Sequence, residues 1–265
     1  MWWIGAGTAA VFPFHAAGIA SGDKLLDHAI PSYTVTIKAL SYSRSRGSRR
    51  AVSPGTDPTI MVVTMPRTPG QRPLNVGQEH REVSAACQGT YRVTSLECPT
   101  ASRVLECIPG SDIVHFACHG SSDPNNPSES HLLLVKQTEA GPIVDRLNIS
   151  SIARLPTLGR AWIAYLSACS TAEVKARDLI DEGLHISSAF QVSGFPHVIG
   201  TLWSVADDVS VRVAGLFYQA LIAHGNETGE QTSRDVAAAL RAAIIEVRQE
   251  HPRPEDWAAY IHSGA

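Results

Sequence analysis

The strongest constraint on the fold is a series of short apolar runs, rich in β-branched residues, that recur along the chain. They are residues 59–65 (TIMVVTM), 112–118 (DIVHFAC), 162–167 (WIAYLS) and 197–203 (HVIGTLW). A strand that is apolar along its whole length is typical of a parallel sheet covered on both faces. Helical patterns separate the runs, so the sequence predicts an α/β fold with a mostly parallel sheet and helices on both faces.

The other elements follow from periodicity and from turn residues. We expect helices over residues 77–89, 100–108, 149–155 and 180–192, short strands at 2–4 and 10–14, and an edge strand at 131–135. Exposed loops are predicted at 41–58, 66–73 and 121–130, where Ser, Gly, Pro and Asn accumulate. Two helices fill the last third. The first has Asp207 or Asp208 as N-cap and Gly225 as its stop, and the second ends before Pro252.

Composition excludes several classes of protein. With 265 residues and 44% hydrophobic residues the chain can bury one large core. A net charge of −3 gives no reason to expect a nucleic-acid partner, and the arginines of residues 44–50 are typical of a solvated loop. Five cysteines without a C-x-x-C pair argue against disulfides and structural zinc, so we expect no metal, no cofactor and a reducing, cytoplasmic location.

The first 22 residues contain no Lys, Arg, Asp or Glu, which raises the question of a targeting or membrane segment. They lack the basic start of a secretory signal, and glycines, a proline and a histidine interrupt them, which suits a membrane helix poorly. We therefore expect no membrane contact. A chain that begins on a core strand is expected to be part of a longer protein.

Two of the predicted strands run into reactive residues. His119 and Gly120 follow the strand 112–118, and Cys169 follows the strand 162–167. Functional residues gather at the carboxyl ends of parallel strands, so neighbouring strands would bring His119 and Cys169 together. The imidazole would activate the thiol and protonate a leaving amine. The backbone N–H groups of Gly120 and Cys169 would form an oxyanion hole.

Each of these residues alone has a simpler interpretation. A cysteine after a buried strand is usually a small core residue, and a single His-Gly pair is weak. The joint occurrence, with the histidine 50 residues before the cysteine, favours a catalytic pair. A small-molecule enzyme of the flavodoxin type would need a glycine loop that cradles phosphate, and residues 66–70 (PRTPG) are too rich in proline for that.

Several blocks of the chain resemble the CHAT domain, a caspase-like peptidase module of the clan that includes caspases, separase and gingipains. The blocks, in order, are WWIGAGTAAVFPFHAAG, IVHFACHG, WIAYLSACSTA, DLIDEGLHISSAFQVSGFPHVIGTLWSVADD and DWAAYIHSG. The resemblance extends over most of residues 1–265 and implies a single domain with a caspase-like α/β sandwich and a six-stranded sheet. The sequence Ser-Ala-Cys-Ser around Cys169 differs from the Gln-Ala-Cys of caspases, so a preference for Asp is not implied.

The resemblance also implies an activity and partners. It implies a cysteine endopeptidase, either active as it stands or latent until triggered, with Cys169 as nucleophile and His119 as general acid and base. Substrate contacts would come from Asp181, Glu182, Trp203 and Asp207, and an acidic residue there would bind a basic P1 side chain. The partners would be a peptide or protein substrate and an upstream helical-repeat region or regulatory protein. The alternative is a non-catalytic or partner-activated signalling module on the same fold.

Overall fold

The computed structural model of this chain describes residues 1–5, 9, 12–19, 22–47, 50–51, 58–121, 129–155, 159–167 and 186–265. The described strands are β1 (Trp2–Trp3), β2 (Ser32–Tyr33), β3 (Arg50–Ala51), β4 (Thr59–Thr64), β5 (Arg92–Glu97), β6 (Ile113–Ala117), β7 (His119–Ser121), β8 (His131–Thr138), β9 (Gly141–Asn148), β10 (Ile163–Leu166), β11 (His197–Thr201), β12 (Glu230–Gln231) and β13 (Tyr260–Gly264). The described helices are α1 (Leu25–His28), α2 (Ile37–Gly47), α3 (Val76–Cys87), α4 (Ala101–Cys107), α5 (Ile149–Ala153), α6 (Ile186–Ser193), α7 (Asp207–Thr228), α8 (Ser233–Glu250) and α9 (Pro254–Trp257). No helix in these ranges is both long and apolar enough to cross a membrane.

The main sheet has the strand order β1-β2-β13-β11-β10-β6-β4-β5 among the described residues. Strands β5, β4, β6, β10 and β11 are parallel, and β13 pairs antiparallel with β11. The expected six strands are therefore extended at one edge by the two-residue strands β2 and β1. The α/β class and the mostly parallel sheet are confirmed.

Both faces of the sheet are buried, which explains the continuous apolar runs. Neighbouring residues of a strand point to opposite faces, so Ile60 and Val62 of β4 pack with α3, α7 and α8, while Met61 and Val63 pack on the other side. That second core includes side chains of α4, α5 and α6. A second, antiparallel sheet has the strand order β7-β8-β9. The strand predicted at 131–135 is β8, but the prediction of an edge strand is wrong, because β8 pairs with β7 on one side and with β9 on the other.

Three further predictions, of a loop, a strand and a helix end, differ from the structure. Residues 41–47 are part of helix α2 rather than of an exposed loop. Tertiary contacts hold that helix: Ser43 and Gly47 are buried, and the Arg46 guanidinium donates to the Gly194 carbonyl. Of the strand predicted at 10–14, residues 12–14 are described and form no strand, and Phe14 begins a 3₁₀ turn over Phe14–Ala16. Helix α7 continues through Gly225 and ends at Thr228, and the next residue, Gly229, has the left-handed conformation that terminates helices.

Gly264 of β13 occupies a position that a side chain cannot share. Its φ is +142°, and a Cβ atom built there would lie 2.0 Å from the Pro196 carbonyl oxygen. Gly141 also has a positive φ, +110°, but a Cβ there would meet nothing within 4 Å. A side chain at Gly141 would therefore meet backbone strain alone, whereas a side chain at Gly264 would meet both strain and steric overlap.

We expect Gly264→Ala to lower the free energy of unfolding by about 3 kcal/mol or more, because strain and overlap with backbone add. The matched variant Gly141→Ala should cost only about 1 kcal/mol, since strain acts alone. Urea denaturation of both variants tests this. Equal losses for the two variants would contradict the close approach of β13 to Pro196.

A chain of buried polar side chains connects β2, β13 and β11. The Ser32 hydroxyl lies 2.8 Å from His262 Nδ1, and His262 Nε2 lies 3.0 Å from His197 Nδ1. Both imidazoles are buried. Burial is the main cause that lowers the pKa of His262 to about 3 and holds the pKa of His197 well below its ordinary value.

This pair predicts that the protein loses stability in mild acid. In the unfolded chain both histidines gain a proton below pH about 6.5, whereas in the folded chain they stay neutral, so the unfolded state binds more protons. The free energy of unfolding should therefore fall, as pH decreases from about 6.5, by up to about 1.4 kcal/mol per pH unit for each histidine. In urea titrations His262→Gln should reduce this slope, and the same change at exposed His28 should not. Equal slopes in both variants would contradict the prediction.

Candidate active site

The carboxyl ends of β4, β6 and β10 lie side by side at one edge of the main sheet. The Met65 N–H donates to the Ala117 carbonyl at 2.9 Å, and the Ser167 N–H donates to the Phe116 carbonyl at 2.9 Å. These bonds continue the parallel pairing past the last strand residues on both sides of β6. Ligand sites of parallel sheets form at this edge, so catalytic and substrate-binding residues are expected here.

His119 stands at this edge, two residues beyond the end of β6 and at the start of β7. It is 6% exposed. Its Nε2 lies 2.8 Å from the Arg72 carbonyl oxygen. Because a carbonyl oxygen only accepts, Nε2 must carry the hydrogen, and Nδ1 is then the nitrogen that can take up a proton. Gly120, the next residue, lies opposite Leu132 in the β7–β8 pair and is half-buried.

The Arg72 carbonyl is held in place from the other side of the loop that follows β4. The Arg72 guanidinium Nη2 lies 3.1 Å from Asp207 Oδ1, and the Asn75 N–H donates to Asp207 Oδ2 at 3.1 Å. Asp207 is the first residue of α7, and Ala206 takes the N-cap position. The expectation that Asp207 or Asp208 is the N-cap is therefore wrong. The Asp207 carboxylate ties the loop to the helix instead.

A cleft opens between this loop, the strand ends and the start of α7. It is shallow, with about 20 Å³ that a water molecule can occupy, and its lining includes Glu79, Cys118, Ser167, Asp207 and Ser210. Two carboxylates therefore contribute negative charge to the cleft. In the described part of the chain no group of three or more His, Cys, Asp or Glu side chains is arranged to hold a metal ion.

A buried polar network supports the floor of the cleft. The Glu79 carboxylate lies 3.0 Å from His115 Nε2, which donates to it, and His115 Nδ1 lies 3.1 Å from the Tyr218 hydroxyl. Burial, the main cause, holds the pKa of Tyr218 well above its ordinary value, so the hydroxyl keeps its proton. The His115 ring also stacks on Tyr165, with centroids 4.7 Å apart. This network joins α3, β6 and α7 beneath His119.

The predicted site residues divide into two groups. The structure brings His119, Gly120 and Asp207 to the strand edge and the loops beside it. Trp203 lies between β11 and α7, where its indole N–H donates to the Glu255 carbonyl at 2.9 Å, and its contact with substrate stays a prediction. Cys169, Asp181 and Glu182 lie outside the described residues, so their roles stay predictions too.

Sequence reasoning missed Arg72 and Glu79. Arg72 lies in a loop rich in proline that the sequence marks only as exposed, and its contribution to His119 is a backbone carbonyl, which any residue type possesses. Glu79 had a weak signal: a charged residue one helical turn before Val83, on the buried stripe of α3. A buried acid on an apolar stripe needs a partner, and His115 supplies it.

Comparison with known proteins gives one family match. The sequence model of the CHAT domain family matches residues 1–265. No curated protein sequence matches the chain.

Solved structures extend the comparison to the fold. The chain is similar to a chain of the Saccharomyces cerevisiae separase–securin complex, with a TM-score of 0.63 and 15% identity over 99% of this chain and 15% of that one. It is also similar to the Arg-specific cysteine proteinase gingipain R, with a TM-score of 0.58 and 10% identity over 88% of this chain and 54% of that one. In the complex of the Porphyromonas gingivalis RgpB pro- and mature domains the TM-score is 0.59, with 8% identity over 92% of this chain and 57% of that one. The chain thus spans about a seventh of the separase chain and just over half of the gingipain chains. At these identities the similarity shows the caspase-like fold alone.

Proposed function

The chain belongs to the CHAT domain family, and on that premise we propose that it is a cysteine endopeptidase with Cys169 as nucleophile and His119 as general acid and base. The observation that carries the proposal is the hydrogen bond from His119 Nε2 to the Arg72 carbonyl. It orients the imidazole through a backbone carbonyl and makes Nδ1 the basic nitrogen at the strand edge. Support also comes from the fold, which the chain shares with the cysteine peptidase gingipain R.

Chain length allows the proposed pair to meet. Cys169 follows Ser167 by two residues, and two extended residues cover about 7 Å. The Ser167 N–H is bonded to the Phe116 carbonyl, three residues before His119. In the proposed site the thiol therefore comes within reach of the imidazole.

The proposed reaction proceeds in two steps. His119 Nδ1 takes the thiol proton, and the Cys169 sulfur attacks the peptide carbonyl carbon to form a C–S bond. The C–N bond then breaks as the imidazolium protonates the leaving amine. Water, deprotonated by the same imidazole, hydrolyses the thioester and releases the carboxylic acid and the thiol. The N–H groups of Gly120 and Cys169 would stabilise the oxyanion in both steps, each contributing about 10²–10³ in rate.

We further propose that the substrate carries Arg or Lys at P1. The Glu79 and Asp207 carboxylates both line the cleft. Asp207 is already paired with Arg72, so Glu79, together with Asp181 and Glu182, is the proposed source of negative charge for the P1 side chain. Glu79 is buried, and burial strengthens a charge-assisted bond. Asp181, Glu182 and Trp203 complete the proposed substrate-binding set.

The proposed location is the cytoplasm, because the nucleophile must stay reduced. Four other cysteines, at positions 87, 98, 107 and 118, are thiols. The reducing cytoplasm keeps such thiols from forming disulfides.

Replacing Cys169 with Ala should abolish both cleavage of Arg-containing peptides and labelling by a peptidyl-Arg acyloxymethyl ketone, because the attacking sulfur is removed. The matched control is Cys98→Ala, which removes an exposed cysteine and should keep wild-type rates. Fluorogenic cleavage and intact-mass spectrometry measure the two effects.

A different result would favour the interaction module. If the wild-type protein is labelled at Cys169 no faster than at Cys98, and cleaves the peptides no faster than Cys169→Ala does, the thiol is not activated. The fold would then serve binding rather than catalysis, and the peptidase assignment would be rejected.

Peptides with Arg at P1 should be cleaved about tenfold faster or more, by kcat/KM, than peptides with citrulline there. Citrulline has nearly the same shape but no charge, so the difference isolates the charge-assisted bond, worth about 1.5–3 kcal/mol. The comparison uses wild-type protein and synthetic peptide pairs. Equal kcat/KM values would reject the basic P1 preference and leave the catalytic pair unaffected.

A further inference from the structure

Arg72 contacts the site twice, through its backbone and through its side chain. Its carbonyl accepts the hydrogen bond from His119 Nε2, and its guanidinium pairs with Asp207. The guanidinium is half exposed, 54%, while the carboxylate is 26% exposed. A single residue thus links the imidazole to the start of α7.

The loop that carries Arg72 has no regular secondary structure. Residues 65–75 form no helix or strand; their backbone bonds include a turn, from the Gln71 N–H to the Thr68 carbonyl, and a bond that closes the loop, from the Leu74 N–H to the Pro66 carbonyl. Asp207 adds two bonds from outside, one to the Arg72 side chain and one to the Asn75 N–H. The two oxygens of the Asp207 carboxylate therefore hold the loop at two positions, Arg72 and Asn75.

Helix α7 provides a rigid support for this carboxylate. It is 22 residues long and buries Val213, Phe217 and Leu221 in the main core. A carboxylate fixed to its first turn has a fixed position relative to β6, because Tyr218 of the same helix bonds to His115 of that strand. The Arg72 carbonyl is thereby placed with respect to His119.

We propose that Asp207 is a positioning residue for His119, acting through Arg72. The inference rests on the proposed function, since it concerns the orientation of the proposed general acid and base. A catalytic group displaced by about 1 Å can lose up to about 10²-fold in rate, so a loop freed from Asp207 weakens proton transfer even when substrate still binds. This role differs from direct contact with a P1 side chain, which the resemblance to the CHAT family implies for Asp207.

Alkylation by iodoacetamide separates the two roles, because this small electrophile has no P1 side chain. The rate is measured at Cys169 by peptide mass spectrometry, with exposed Cys98 as the internal reference. We expect Asp207→Asn to lower the rate at Cys169 about three- to tenfold. On Arg peptides the same variant should lower kcat more than it raises KM.

Matched variants control for other effects of the charge. Asp208→Asn removes the adjacent carboxylate of the same first turn, whose Oδ1 accepts from the Val209 N–H, and should stay within about twofold of wild type because it does not touch the loop. Arg72→Met keeps the carbonyl and removes the side-chain bond to Asp207, while the bond from the Asn75 N–H stays, so it should lower the alkylation rate at Cys169 in the same direction as Asp207→Asn, by about twofold or more. Arg72→Lys should recover most of the rate, since an ammonium can make the single bond to Oδ1. Thermal unfolding of each variant checks that it folds.

Three results would overturn the inference or its premise, and they are distinguishable. If Asp207→Asn leaves alkylation unchanged and only raises KM for Arg peptides, Asp207 binds substrate and does not position His119. If Arg72→Met keeps the wild-type rate, the link through Arg72 is wrong. If instead His119→Ala leaves the alkylation rate of Cys169 unchanged in otherwise native protein, the proposed catalytic pair itself fails.

Discussion

The parallel pairing of β6 between β4 and β10 is the constraint on which the rest of the structure depends. Its register sets Phe116 beside Leu166 and Ala117 beside Thr64, so three strands end at one level. The pairing demands that both faces of these strands be covered, and the two apolar cores meet that demand. The residues that follow these three strands therefore lie at the same edge of the sheet. His119 reaches the edge because it follows β6, and Ser167 reaches it because it follows β10.

The sequence predicted the central strands and most helices because their signals are local. Continuous apolar runs identify β4, β6, β10 and β11, and the four-residue spacing identifies α7 and α8. Strand β5 escaped prediction because it is an edge strand whose exposed positions carry polar residues (RVTSLE). Residues 41–47 of α2 favour a loop by sequence because Ser, Arg and Gly dominate them, and their helical state depends on contacts with Gly194 and Pro196, which are distant in sequence.

The candidate site shows the same division between local and distant information. His119 and Gly120 could be predicted because a histidine and a glycine after a buried strand are visible in the sequence. The partner of His119 could not, because the Arg72 carbonyl is a backbone group 47 residues away and no side-chain pattern marks it. Asp207 was predicted from its place near the strand edge and from family resemblance, but its partners depend on how the loop after β4 folds.

The buried Glu79–His115–Tyr218 network explains why this site can be held rigid. Burying a carboxylate is costly unless it is bonded, and the bond to His115 offsets that cost while joining α3 to β6; Tyr218 adds α7. Those same elements carry the functional groups: the loop with Arg72 leads into α3, His119 follows β6, and Asp207 begins α7. A shift of any one element would break a buried polar contact, which leaves a group unsatisfied at a cost of about 1–3 kcal/mol. The buried network and the loop contacts thus fix the same three elements twice, and the His119 imidazole is bonded to the loop that both hold in place.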